Sequence, residues 1–289
     1  MTTDFKTTPS LDTRAAPMAT TAMFLVGTLA AVSDLIQDYP LYGGQAVRYA
    51  LAAVALLLAV RLTSNPPAPL SARDVGQLAL LALTGLVLFN VCVIESARHA
   101  GPALVGTVLG TVPLALALCA RALNRRILLA AAVVVTGATL ATGLGSGNLP
   151  GLAWAAGALA CEVCFSLLAL PLLPRLGAMK VSAYSVTLAV PMLLLIGLVT
   201  DGTAMLRVPT LAEALGLGYL ALIVTTVAFF LWYSALPRLG PGKAGLFAGM
   251  IPIGAITTGV LLGLGAPTVA DLAGAAIVIA GILLGLRPE

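Results

Sequence analysis

Charge is scarce in this chain. Lys, Arg, Asp and Glu make up 9% of its 289 residues, against 60% hydrophobic residues. A soluble domain carries roughly a quarter charged residues on a solvated surface, so this composition excludes one. Histidine occurs once, at His99. There is no His-Glu-x-x-His sequence, no pair of aspartates inside an apolar run and no Ser-His pair in a catalytic context. An intramembrane enzyme is thus left without a catalytic set, and no enzymatic activity is expected. No ATP-binding motif is present, so any uphill work would draw on a gradient. Cys92, Cys119, Cys161 and Cys164 lie in apolar runs and are not spaced as a disulfide framework. No cofactor is expected. The net charge of +4 comes from turns between apolar runs, which speaks of topology and not of a nucleic-acid partner.

The chain consists mainly of apolar segments. Ten can be read, over residues 18–36, 41–62, 75–97, 101–121, 126–144, 150–172, 180–200, 212–236, 240–263 and 268–286. Residues 1–17 are polar and predict a disordered tail. With the N-terminus placed in the cytoplasm, twelve of the fifteen Lys and Arg residues fall on the cytoplasmic side. Only Arg98 and Arg207 fall in outer turns, and Arg48 lies within a span. That bias predicts a multi-pass protein of the plasma or inner membrane with both termini cytoplasmic.

One pattern occurs twice. Gly101, Pro102, Gly106, Gly110 and Pro113 are matched by Gly240, Pro241, Gly245, Gly249 and Pro252, each 139 residues later. Gly-Pro before an apolar run predicts a helix start. Glycines four apart leave one face of the helix flat, so that another backbone can approach. The later proline removes a hydrogen bond and invites a kink. The two copies open the fourth and ninth spans, which run in opposite directions. A five-helix unit that is duplicated gives two halves of inverted topology: 18–145 and 149–287. The predicted fold is an all-α membrane protein of ten transmembrane helices in two inverted five-helix repeats. That architecture places a substrate site near the midplane, between the halves.

The twin signatures, Arg48 early in the second span and the five-plus-five layout resemble the drug/metabolite transporter superfamily, of the EamA type, over about residues 20–286. The resemblance implies export of amino acids, other metabolites or drugs. It also implies a cavity lined by helices one, three, four, six, eight and nine, with the fifth and tenth as scaffold. Many relatives carry a Glu near the end of the fourth and ninth helices; the corresponding stretches here, LCARALNRR and GVLLGLGAPT, have no acid.

Several polar residues sit where lipid would penalise them. Glu162 lies in the middle of the sixth span, where an ionisable group costs about 2.5–3.5 kcal/mol on insertion scales. Such a group faces a cavity or a partner, and Glu162 is read as a proton carrier or a site for a substrate ammonium; the alternative is a neutral Glu bonded between helices. Cys161 and Cys164 flank it at helical spacing. Packing by small residues is preferred to soft-metal ligation there, and no metal is expected. Arg48 needs a partner, with Asp34 and Glu95 as candidates. The three would form an outer charged layer, either a gate or, by preference, a static pairing of helices. Asn90 could bond a substrate or a neighbouring helix. Trp232 and Tyr233 could stack on a substrate or belong to the interfacial belt, and the belt is preferred for Trp154. His99 is read as an outer-turn residue.

These features predict a secondary transporter that exports small polar or amphipathic metabolites by alternating access. Amino acids lead, with Glu162 for the amine and Asn90 or a broken helix start for the carboxylate. The alternatives are a proton-coupled drug exporter and a non-transporting membrane partner or sensor. The expected partners are a small-molecule substrate and membrane lipid. The glycine faces serve contacts within or between subunits equally well, so they predict no oligomeric state.

Overall fold

Lipid offers no hydrogen bonds to backbone N–H and C=O groups, so a spanning chain satisfies them along its own helices. The computed structural model describes residues 14–63, 69–121, 124–143, 148–263 and 266–287; the side chains of residues 30, 33, 34 and 101–103 also fall outside that set. Every regular element among the described residues is helical. They are α1 (Ala15–Val32), α2 (Leu41–Leu62), α3 (Ala72–Ala82), α4 (Phe89–Leu109), α5 (Val112–Cys119), α6 (Arg125–Thr142) and α7 (Leu149–Ala169). Then follow α8 (Leu173–Asp201), α9 (Leu211–Tyr219), α10 (Ala228–Leu239), α11 (Pro241–Leu246), α12 (Met250–Leu261) and α13 (Val269–Leu286). Eight helical runs among the described residues are long and apolar enough to cross a membrane, and two shorter apolar runs cover Ala15–Leu29 and Leu104–Cys119. The chain is an integral multi-pass membrane protein.

The first helix starts at Ala15, so the last residues of the expected tail are helical. Two long runs contain π-helical segments. Leu83–Leu88 joins α3 to α4, and Leu220–Val227 joins α9 to α10. In the π segment the hydroxyls of Thr225 and Thr226 donate to carbonyls five residues back, at 2.9 Å each. Such segments widen a helix locally and occur frequently at functional sites.

The repeated Gly-Pro pattern acts differently in its two copies. At the second, Gly240 has φ +72°, α10 ends and Pro241 opens α11, as expected. At the first, the side chains of Gly101 and Pro102 lie outside the described residues, but contacts on either side reverse direction. Ser96 Oγ donates to Gly151 O, and Asn148 Nδ2 donates to His99 O. Thr107 Oγ1 then donates to Gly143 O. A Cβ on Gly106 would meet Thr142, and one on Gly110 would meet Ala138. The chain thus climbs beside α7 and returns beside α6. The later prolines loosen each helix just before themselves, because proline clashes with the carbonyl four residues earlier. The breaks are Gly110–Thr111 before Pro113, and the 3-10 turn Phe247–Gly249 before Pro252.

The closest backbone contacts are made by glycines outside that pattern, a correction to the expectation. Gly106 and Gly245 face side chains, of Thr142 and Leu116, and Gly249 faces Val134 and Val278. By contrast, a Cβ on Gly27 of α1 would run into the Ile251 carbonyl, and one on Gly254 of α12 into the Phe24 carbonyl. Gly137 of α6 and Gly274 of α13 face each other reciprocally. A Cβ on either would lie 2.7 Å or 2.6 Å from the other's carbonyl oxygen. Small residues that admit a facing backbone are how helices pack without a hydrophobic driving force between them.

This contact yields a prediction. Gly254→Val forces α1 from α12 and should lower stability by about 1–3 kcal/mol or more. Gly259→Val, on the same helix with open space around it, should not. Thermal unfolding of both variants in detergent checks this.

Candidate functional site

A cavity of about 130 Å³ lies among α1, α2, α4, α7, α10 and both π segments. It is lined by Met23, Val26, Leu29, Arg48, Tyr49, Gly85, Leu86, Phe89, Asn90, Val93, Glu162, Phe165, Val224, Ala228, Phe229 and Trp232. Twelve of these sixteen residues form six pairs separated by 139 positions, the spacing of the Gly-Pro pattern. The pairs are Met23 with Glu162, Val26 with Phe165, Gly85 with Val224, Phe89 with Ala228, Asn90 with Phe229, and Val93 with Trp232. Two more open hollows, of about 240 and 430 Å³, have no carboxylate in their walls.

Glu162 sits on α7, half-buried, and makes no hydrogen bond or ion pair among the described residues. Phe165, one turn on, packs at 5.0 Å between ring centroids against both Phe229 and Tyr233. Gly85 makes room for it, since a Cβ there would lie 2.7 Å from the Phe165 ring. The result is a carboxylate at the edge of an aromatic wall.

Arg48 faces the same space from α2. It is 4% exposed. Its Nε donates to Thr225 Oγ1 at 2.7 Å, its Nη1 to Gln45 Oε1 at 3.3 Å, and its guanidinium lies 5.3 Å from the centre of the Tyr49 ring. Thr225 is held for this by its bond to the Leu220 carbonyl inside the π segment. Asn90 Nδ2 donates to Leu86 O and, at 3.3 Å, to Tyr49 Oη. Trp232 is 2% exposed, and its Nε1–H has no acceptor among the described residues.

The structure thus brings Glu162, Asn90, Trp232 and Arg48 to one cavity and leaves other expected residues out. Tyr233 is fully buried behind Phe165, and its hydroxyl lies 3.4 Å from the Phe165 carbonyl. It supports the wall without reaching the cavity. The expected Arg48–Glu95 pairing is not formed: Glu95 pairs with Arg98 at 2.8 Å, because they sit one turn apart on α4. The side chain of Asp34 lies outside the described residues. No described residue of the fourth or ninth segment lines this wall; Gly245 is packed against Leu116 and Pro113. The second helix, not expected at the cavity, supplies Arg48 and Tyr49. His99 is exposed, its Nδ1–H donating to Glu95 O at 2.7 Å, and Trp154 is exposed. No set of three metal-ligating side chains gathers among the described residues.

Sequence reasoning missed two arginine clusters at the ends of the bundle. Ser71 and Asp74 form a capping box at the start of α3, and Thr210 and Glu213 form one at the start of α9, again 139 positions apart. Arg175 pairs with Asp74 and reaches the Pro69 carbonyl at 3.5 Å. Arg207 pairs with Glu213, donates to the Asp38 carbonyl at 3.1 Å and lies 4.9 Å from the centre of the Tyr39 ring. Asp38 and Asp74 flank opposite ends of α2, a helix of 22 residues or roughly 33 Å. The Ser/Thr-x-x-Asp/Glu spacing was a readable sign of both caps.

Residues 149–287 match the EamA-like transporter family. The chain is 26% identical over 255 residues to the uncharacterized transporter YetK of Bacillus subtilis (strain 168), covering 83% of this chain and 77% of that protein. A solved structure, described only as a crystal structure of a protein, superimposes with a TM-score of 0.81 at 18% identity. The match covers 94% of this chain and 97% of that one. At that identity the likeness concerns the fold.

The brace on Arg48 can be tested directly. Thr225→Val leaves a buried guanidinium N–H without its acceptor and should cost about 1–3 kcal/mol. Thr226→Val, which removes only a local bond to Ala221 O, should cost less. Thermal unfolding of the two variants side by side checks the difference.

Proposed function

Because the chain is an EamA-type protein of the drug/metabolite transporter superfamily, we propose that it is a secondary transporter exporting small polar or amphipathic metabolites, with amino acids as the leading class. It works by alternating access between two inverted five-helix repeats. The observation that carries this reading is the recurrence of one spacing. The Gly-Pro signatures, the capping boxes and six pairs of cavity residues all repeat at 139 positions. A cavity whose wall is built from equivalent positions of two halves lies where those halves meet, which is where rocking of one half on the other would expose it to each side in turn.

The cavity's size and chemistry favour a metabolite over a drug. A volume of about 130 Å³ falls short of the roughly 300–1,000 Å³ of pockets that hold drug-sized ligands. Within that space, Glu162 would take a substrate ammonium, Asn90 Oδ1 would accept a further hydrogen bond, and Phe165 and Phe229 would cover an apolar side chain. The two arginine clusters sit at opposite ends of the bundle and tie segments of different halves together. They are the places where the halves would hold and release. The basic-residue bias supports cytoplasmic termini in a plasma or inner membrane.

The test is flux from proteoliposomes loaded with a mixed amino-acid pool, read by mass spectrometry. Net movement of one or more components is expected, and Glu162→Gln should reduce it at least tenfold or abolish its pH dependence. Absence of any flux in the wild-type protein would favour the partner or sensor reading. Full, pH-dependent flux in Glu162→Gln would remove Glu162 from the site.

A further inference from the structure

Arg48 and Glu162 stand in one cavity without neutralising each other. No carboxylate among the described residues lies within 4 Å of the guanidinium, and no cation lies within 4 Å of the Glu162 carboxylate. An ionised group inside a membrane bundle ordinarily pairs with another or faces water. Two opposite charges held apart across one space are an arrangement that a ligand carrying both signs would complete.

The donor inventory supports this. A guanidinium has five N–H groups; one goes to Thr225 and one to Gln45, leaving three. The brace fixes the Nε edge through a π segment and stacks the plane beside Tyr49. Trp232 adds a buried N–H that nothing in the described protein accepts. Unpartnered donors next to a cavity are costly unless something fills the place. A planar carboxylate suits them, because the arginine fork binds it by two parallel bonds. The 139-position spacing makes the point sharper: the position equivalent to Arg48 is Thr187, and that equivalent to Glu162 is Met23. Each charge is therefore present once, with no mirror copy to compete for the same ligand group.

We propose that Arg48 is the anion anchor of the cavity, taking the substrate's carboxylate with help from Trp232 Nε1 while Glu162 takes its ammonium, so that the site selects dipolar molecules over simple amines or simple acids. This rests on the transporter reading and assigns Arg48 a recognition role beyond helix pairing.

The experiment is calorimetric titration of the purified protein with four probes: L-leucine, L-leucinamide, isopentylamine and 4-methylpentanoate. Wild-type protein should bind leucine tightest. Arg48→Gln should erase the preference for leucine over leucinamide, by about tenfold or more, and leave leucinamide itself unchanged. Arg48→Lys, which keeps the charge without the fork, should retain part of that preference. Glu162→Gln should instead erase the preference for leucine over 4-methylpentanoate. A purely structural Arg48 would weaken all probes alike, so the ratio separates recognition from misfolding. An unchanged leucine-to-leucinamide ratio in Arg48→Gln overturns the proposal. So does a wild-type protein that fails to favour leucine over all three single-charge probes. Flux of another solute in proteoliposomes would then still leave the transporter reading standing.

Discussion

Close approach of backbones at glycine is the contact on which the rest of this structure depends. Helices in lipid gain nothing from hiding apolar side chains from one another, so packing and short-range polar contacts must hold them. Gly27 and Gly254 admit carbonyls of the facing helix, and Gly137 and Gly274 do so reciprocally. The second pair locks α6 to α13, neither of which lines the cavity. The first ties α1, whose Met23 and Val26 form part of the wall, to α12, which forms none. Tight seams thus stand behind the cavity, and helices that carry larger side chains stand in front of it.

Space opens where the helices depart from regular winding. Both π segments touch the cavity, through Gly85 and Leu86 on one side and Val224 on the other. In the second, the widened turn lets Thr225 keep its bond to Leu220 while receiving Arg48. A regular α-helix would direct that hydroxyl to the carbonyl four residues back and shift its position relative to α2. The charge in the wall therefore depends on a backbone irregularity in a helix from the other half of the chain.

Much of this was legible. Long apolar runs, a shortage of charge and the 139-position repeat pointed to an all-helical membrane chain, because lipid leaves few alternatives. Glu162 and Asn90 could be singled out because polar groups are rare inside an apolar span, whereas Trp232 was readable equally as a substrate contact or as part of the interfacial belt. Tyr233 was misplaced because residues one apart on a helix point about 100° from each other, so its neighbour at the wall says nothing of its own direction. Arg48 was assigned an acidic partner, since charge complementarity is the only pairing rule that sequence offers. Among the described residues its partners are a threonine hydroxyl, a glutamine and an aromatic face. The π segments were not legible either. No local propensity marks them, although Phe165 and Arg48 from other helices contact them at Gly85 and Thr225.

The six paired positions differ in a way that bears on recognition. Met23 occupies the place equivalent to Glu162, Phe229 answers Asn90, and Val93 answers Trp232. In these three pairs one member brings a polar group and the other is apolar, while the remaining three pairs are apolar on both sides. A wall built from identical halves would present the same chemistry twice and would suit a ligand that is itself symmetric. Here the repeat supplies the shape of the space while the side chains divide it into polar and apolar sectors. Substitution at one member of a pair changes what the cavity holds without disturbing the glycine seams that build it, since the seams and the wall use different residues. That separation lets one backbone arrangement keep its shape while a few side chains set the chemistry of the cavity.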